Sequence, residues 1–274
     1  MLLVGASSYS RIIDYERIKN ILDRYNEQHT KDLEEYYFGE TLQQMIEKEK
    51  CYYVVDMAHV AGLVAAGLHP NPCEYADVVT STTHKTLRGP RGGIILWNDD
   101  KLTKKINSAV FPYCQGGPLE HIIAAKGICF EEASTSLFKL YAQQVIDNAK
   151  TFATEMMNKG WKVISNGTDN HMFVLDTYNS IGLTGKEVEE ALDKINITLN
   201  KNQIPNDILP PLKSSGVRIG TPAMTTKGWK EADFKDLSYI IDGYLRRVKD
   251  NDLNDDQLLG YKDMVFNLVH RKRN

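Results

Sequence analysis

Residues 80–93 read Thr-Ser-Thr-Thr-His-Lys-Thr-Leu-Arg-Gly-Pro-Arg-Gly-Gly, between two short apolar runs at 76–79 and 94–97. The first run reads as a buried strand, the second is another apolar run, and the cationic, glycine-rich link between them reads as a tight turn. A strand that ends in hydroxyls, a histidine and Lys85 could present a Schiff-base lysine to an anionic cofactor. Taken alone, Lys85 reads equally as a solvated lysine of a basic loop, as most lysines are.

A second stretch narrows the choice. Residues 51–55 are another apolar, β-rich run, and Asp56 terminates it. An aspartate and a lysine at the carboxyl ends of two nearby strands converge in the crevice where open α/β sheets bind ligands. Pyridoxal phosphate (PLP) chemistry uses that pair, an amine for the imine and a carboxylate for the pyridine nitrogen.

The stretches DMAHVAGLVAAG (56–67) and TSTTHKTLRGPRGG (80–93) resemble serine hydroxymethyltransferase, a PLP enzyme of the aspartate-aminotransferase fold. INSAVFPYCQGGPLEH (106–121), GLTGKEVEEAL (182–192), NITLNKN (196–202) and SSGVRIGTPAMTTKG (214–228) follow in family order. The resemblance implies an α/β fold: a remnant of a large PLP-binding domain over 1–130, with a mostly parallel sheet covered by helices on both faces. A linking helix and a small α+β domain fill 131–274. It also implies that roughly the first third of the enzyme is missing. Residues 22–48 stand out as an insertion, read as a solvent-facing helical or partly disordered segment.

Composition bounds the alternatives. The 274 residues are 42% hydrophobic and 25% charged, ordinary for a globular protein of one large or two modest domains. A net charge of −3 argues against a nucleic-acid partner, and no apolar run is long enough to span a membrane. Cys51, Cys73, Cys114 and Cys129 lie far apart, without a CxxC pair, and read as reduced thiols with no metal site. A cytoplasmic location is the expectation, with a mitochondrial one left open.

Along the chain, residues 2–4 read as a buried strand and 14–24 as a helix. Residues 119–159 carry apolar side chains at helical spacing and read as one long helix. Strands follow at 161–164, 172–175 and 217–219, with helices at 184–195, 233–248 and 257–269. The basic end, residues 270–273, reads as a solvated tail.

Site roles come from the resemblance, residue by residue. It implies that Lys85 holds PLP, Asp56 faces the pyridine nitrogen and His59 lies near the ring oxygen. Ser7, Thr82 and His84 match cofactor-binding positions. Gly116 and Gly117 match a phosphate loop donated by a neighbouring subunit, which implies a homodimer or homotetramer with shared sites. Arg218 matches the arginine that grips the substrate carboxylate, Arg91 another active-site position, and Asn202 a position near the folate pocket. The implied reaction interconverts serine and glycine with tetrahydrofolate as co-substrate. The family's acid/base glutamate, ring-stacking histidine and tyrosines fall upstream of Met1, so this chain alone is expected to be weakly active or inactive. Two other readings stay open: another PLP aldolase, such as a threonine aldolase, and a non-catalytic homologue that serves as an assembly partner.

Overall fold

The computed structural model describes residues 1–272 and divides into two compact units. The first comprises Met1–Ser7 and Ile12–Lys139, the second Ser8–Arg11 and the chain from Leu140 onward.

The first unit opens with β1 (Leu2–Gly5), followed by the helices α1 (Tyr15–Glu34) and α2 (Gly39–Glu49). Then come β2 (Tyr53–Asp56), a short α3 (Ala61–Ala65), β3 (Val78–Thr82), β4 (Gly93–Trp97), α4 (Asp100–Ser108) and α5 (Glu120–Ala133). The sheet order is β1-β2-β3-β4. The first three strands are parallel and β4 is antiparallel to β3, so the sheet is mostly parallel. Gly5 pairs with Asp56, and Asp56 with Thr80. This register brings the carboxyl ends of three parallel strands to one edge, as in open α/β sheets.

The segment at 22–48 is helical. Asp14 caps α1 by accepting the Arg17 amide at 2.9 Å, and the helix runs ten residues past Arg24 to Glu34. Asn26 clamps the base of this helical pair to the entry of β2. Its Nδ2 donates to the Cys51 carbonyl at 3.1 Å, and its Oδ1 accepts the Cys51 amide at 2.9 Å. His29 meets Glu49 at 2.9 Å across the pair.

The second unit contains most of α6 (Ser136–Asn158), β5 (Lys162–Val163), β6 (Met172–Asp176), α7 (Tyr178–Ile181) and α8 (Gly185–Asp193). β7 (Asn200–Asn202), β8 (Gly216–Gly220), α9 (Pro222–Thr226), α10 (Glu231–Lys249) and α11 (Asp255–His270) complete it. Its sheet, order β5-β6-β8-β7, is antiparallel throughout. Every residue of β6 is buried, against a core that includes Phe152, Met156, Leu192, Phe234 and Tyr244. Phe152 and Phe173 meet edge to face at 5.3 Å.

Four expectations change. The strand at 2–4 forms but is not buried: Leu3 is 62% exposed, because β1 is an edge strand that pairs only with β2. The long helix at 119–159 breaks after Ala133. There Ser134 and Thr135 turn their hydroxyls onto the Glu131 and Glu132 carbonyls, and Thr135 Oγ1 accepts the Phe138 amide at the start of α6. The strand at 161–164 shrinks to Lys162–Val163, since Ile164–Asn166 forms a 3₁₀ turn. At the basic end, Arg271 is not simply solvated: it pairs with Asp233 at 3.4 Å and Asp236 at 2.8 Å. Arg273 lies outside the described residues.

Candidate functional site

The carboxyl edge of the first unit's sheet is built by two turns. The first leaves β2 at Asp56, whose exposed side chain accepts the Ala58 amide at 2.8 Å while the Met57 amide donates to the Thr80 carbonyl at 2.9 Å. The chain then folds through His59 into α3. Asp56 is thus held both by the ladder to β3 and by its own turn.

The second turn leaves β3 at Thr82 and returns into β4 at Gly93. Thr83 closes it. Its amide donates to the Gly92 carbonyl at 3.0 Å, its hydroxyl to the Pro90 carbonyl at 2.5 Å, and its own carbonyl accepts the Gly89 amide at 2.7 Å. Inside the loop the Arg88 amide donates to the Lys85 carbonyl at 2.9 Å, and Arg88 takes a left-handed φ of 61°. Gly89 is required by close approach, since a Cβ there would stand 2.5 Å from Cys129 Sγ and 2.8 Å from the Thr83 carbonyl oxygen; at Gly92 the near neighbour is the flexible end of Lys126. Lys85 and His84, partly buried, therefore sit on a loop braced by α5.

The two turns are joined by one hydroxyl. Thr86, 5% exposed, donates from Oγ1 to the His59 carbonyl at 2.8 Å and accepts the Gly62 amide at 2.9 Å. Nothing in the order of residues singles out Thr86 beyond its place beside Lys85, and sequence reasoning passed over it. Thr82 Oγ1 and His84 Nδ1 are buried without a hydrogen-bond partner within the protein. Buried polar atoms are rarely left unsatisfied, so each marks a place for a further polar group.

This strand-end arrangement lies inside a stretch with a definite kinship. A family model described as Serine hydroxymethyltransferase matches residues 35–241, most of the chain. The chain belongs to the serine hydroxymethyltransferase family. The family is PLP-dependent.

Within this family member, the structure gathers Asp56, His59, Thr82, His84 and Lys85 on the two turns. Ser7 follows β1, the strand beside β2, and is exposed. Arg91, also exposed, lies in the same loop as Lys85. Gly116 and Gly117 stand apart, fully exposed ahead of α5 with open space around both. Arg218 and Asn202 belong to the second unit, on neighbouring strands: Asn202 pairs with Gly216, and Arg218 Nη2 donates to Asn200 Oδ1 at 3.3 Å.

Two buried tyrosines lie in the first unit. Tyr53 on β2 and Tyr15 on α1 are 0% and 1% exposed, and neither hydroxyl has a hydrogen-bond partner. Burial, then the negative fields of Tyr53 and Asp56, push Tyr15 up to about 12. Burial and Asp14 push Tyr53 up to about 12. Both stay protonated at neutral pH. The Tyr15 ring packs 5.9 Å from that of His69, whose pKa burial lowers.

Proposed function

We propose that this chain is a PLP-dependent serine hydroxymethyltransferase, converting serine and tetrahydrofolate to glycine, 5,10-methylenetetrahydrofolate and water. The observation that carries the reading is that Asp56 and the Lys85 turn both follow the carboxyl ends of adjacent parallel strands, in a chain of this family. The Thr82 Oγ1 and His84 Nδ1 atoms on the same turn support it, since each keeps hydrogen-bonding capacity that no described residue uses.

When bound, PLP supplies an aldehyde for an amine and a cationic ring that accepts electrons from the breaking Cα–Cβ bond. Lys85 Nζ would be the amine that holds that group. The Asp56 carboxylate favours a protonated pyridine nitrogen through opposite charge. His59 orients the ring, while Ser7, Thr82 and His84 hold the cofactor by hydrogen bonds. The Arg218 guanidinium donates two parallel N–H bonds to the two oxygens of the substrate carboxylate, a job for a planar fork rather than a point charge. Arg91 adds positive charge near the substrate, and Asn202 borders the folate. Gly116 and Gly117 offer backbone amides to a phosphate in a neighbouring copy, which makes the working form a homodimer or homotetramer.

The test is glycine formation from serine by the purified chain with added PLP, with and without tetrahydrofolate. Folate-dependent turnover above the Lys85→Ala background, however slow, supports the proposal. Folate-independent cleavage points instead to an aldolase, and loss of both turnover and PLP retention to a non-catalytic homologue.

A further inference from the structure

The Lys85 turn is closed upon itself by Thr83, whose amide, hydroxyl and carbonyl bind Gly92, Pro90 and Gly89. The Asp56 turn is likewise closed by the Ala58 amide on the Asp56 carboxylate and the Val60 amide on the Met57 carbonyl. Each is a small rigid piece mounted on its own strand. The ladder fixes β2 against β3 only as far as Asp56 and Thr80, five residues before Lys85. Beyond that, some other contact has to set one piece against the other.

Thr86 supplies it, and its hydroxyl is suited to the task because it works in both directions. It donates to the His59 carbonyl and accepts from the Gly62 amide, so one oxygen grips the segment that follows Asp56 at two points. The contact is buried, so water does not compete for it. Gly62 lets the backbones meet: any Cβ there would stand 2.2 Å from the Thr86 carbonyl oxygen. A second brace from α5, Cys129 Sγ to the Leu87 carbonyl at 3.4 Å, is a weak thiol bond and does not reach the Asp56 turn.

We infer that Thr86 is a positioning residue, which sets Lys85 against Asp56 by locking the two turns together. It touches neither substrate nor cofactor. Removing its hydroxyl leaves each turn closed but lets one move against the other, with both bonds to the His59–Gly62 segment lost. The part of this inference that concerns cofactor capture rests on the PLP reading; the lock itself does not.

The experiment uses the whole chain without cofactor, comparing Thr86→Val, which keeps the shape and loses the hydroxyl, with Thr86→Ser, which keeps the hydroxyl. Amide hydrogen exchange is followed in segments 57–62 and 84–92. The rate at which Lys85 captures added PLP is then read by borohydride trapping and peptide mapping. Thr86→Val is expected to speed exchange in both segments together and to slow capture roughly tenfold, the scale of one buried hydrogen bond. Thr86→Ser is expected to behave as the parent. Unchanged exchange in Thr86→Val, loosening of one segment only, or equal damage in Thr86→Ser overturns the inference. If Thr86→Val does not fold, Thr86→Ala is read in the same way. If the parent chain captures no PLP at Lys85, the cofactor reading fails while the exchange comparison still decides the lock.

Discussion

A Cβ on Gly62 would stand 2.2 Å from the Thr86 carbonyl oxygen and 2.9 Å from the Leu87 amide nitrogen. The neighbours are backbone, so they cannot swing aside as a flexible side chain would. Gly62→Ala is therefore expected to push the Lys85 loop away from α3 and to cost about 1–3 kcal/mol, the usual range for overpacking. Thermal unfolding measures the cost. A melting point equal to that of the parent would show that the approach is looser than the geometry implies.

The helical pair α1 and α2 hangs from β2 through Asn26. Asn26→Ala removes both bonds to Cys51 at once and leaves a partly buried carbonyl and amide without their partner. A loss of about 1–2 kcal/mol in urea unfolding is expected. Faster amide exchange confined to α2 and the lower half of α1 should accompany it, since α2 itself has no fully buried residue.

In the second unit Asn148, 0% exposed, holds α6 to the segment after α9. Its Nδ2 donates to Thr225 Oγ1 at 2.9 Å and to the Trp229 carbonyl at 3.0 Å, and its Oδ1 accepts from Gln144 at 3.0 Å. Asn148→Leu removes the buried bonds to Thr225 and Trp229 together, so about 2–3 kcal/mol of destabilisation is expected. Denaturant unfolding followed by tryptophan fluorescence reads it directly.

Alkaline pH should unfold the protein through its buried tyrosines. Tyr15 and Tyr53 are pushed up from 10.0 to about 12 in the folded chain. A raised folded value means their contribution is fully present below pH 10 and is lost as pH rises from 10 towards 12. Tyr15→Phe should flatten the fall of melting temperature across that window. An unchanged pH profile in the variant would remove Tyr15 from the account.

The strands that carry Asp56 and Lys85 could be read from residue order because each apolar run stops abruptly at polar chemistry. The helix break at Ser134 and Thr135 could not, since apolar spacing continues on both sides and only the hydroxyl-to-carbonyl bonds end α5. The exposure of Leu2 and Leu3 also escaped, because composition signals a strand but not how many neighbours it has. Thr86 escaped for a related reason. A hydroxyl next to a lysine looks like any loop residue until the turn from His59 to Gly62 is folded against it. Periodicity reports faces and ends of elements, whereas locks between loops depend on pairings many residues apart.

The central claim is that one lysine, at the end of a strand beside Asp56, holds the cofactor. Incubating the full chain with PLP, reducing with borohydride and mapping peptides by mass spectrometry tests it most directly. The account predicts a single pyridoxyl-modified site at Lys85, formed in preference to the other lysines and abolished in Lys85→Ala. Modification spread evenly over surface lysines, with Lys85 no faster than the rest, would contradict it.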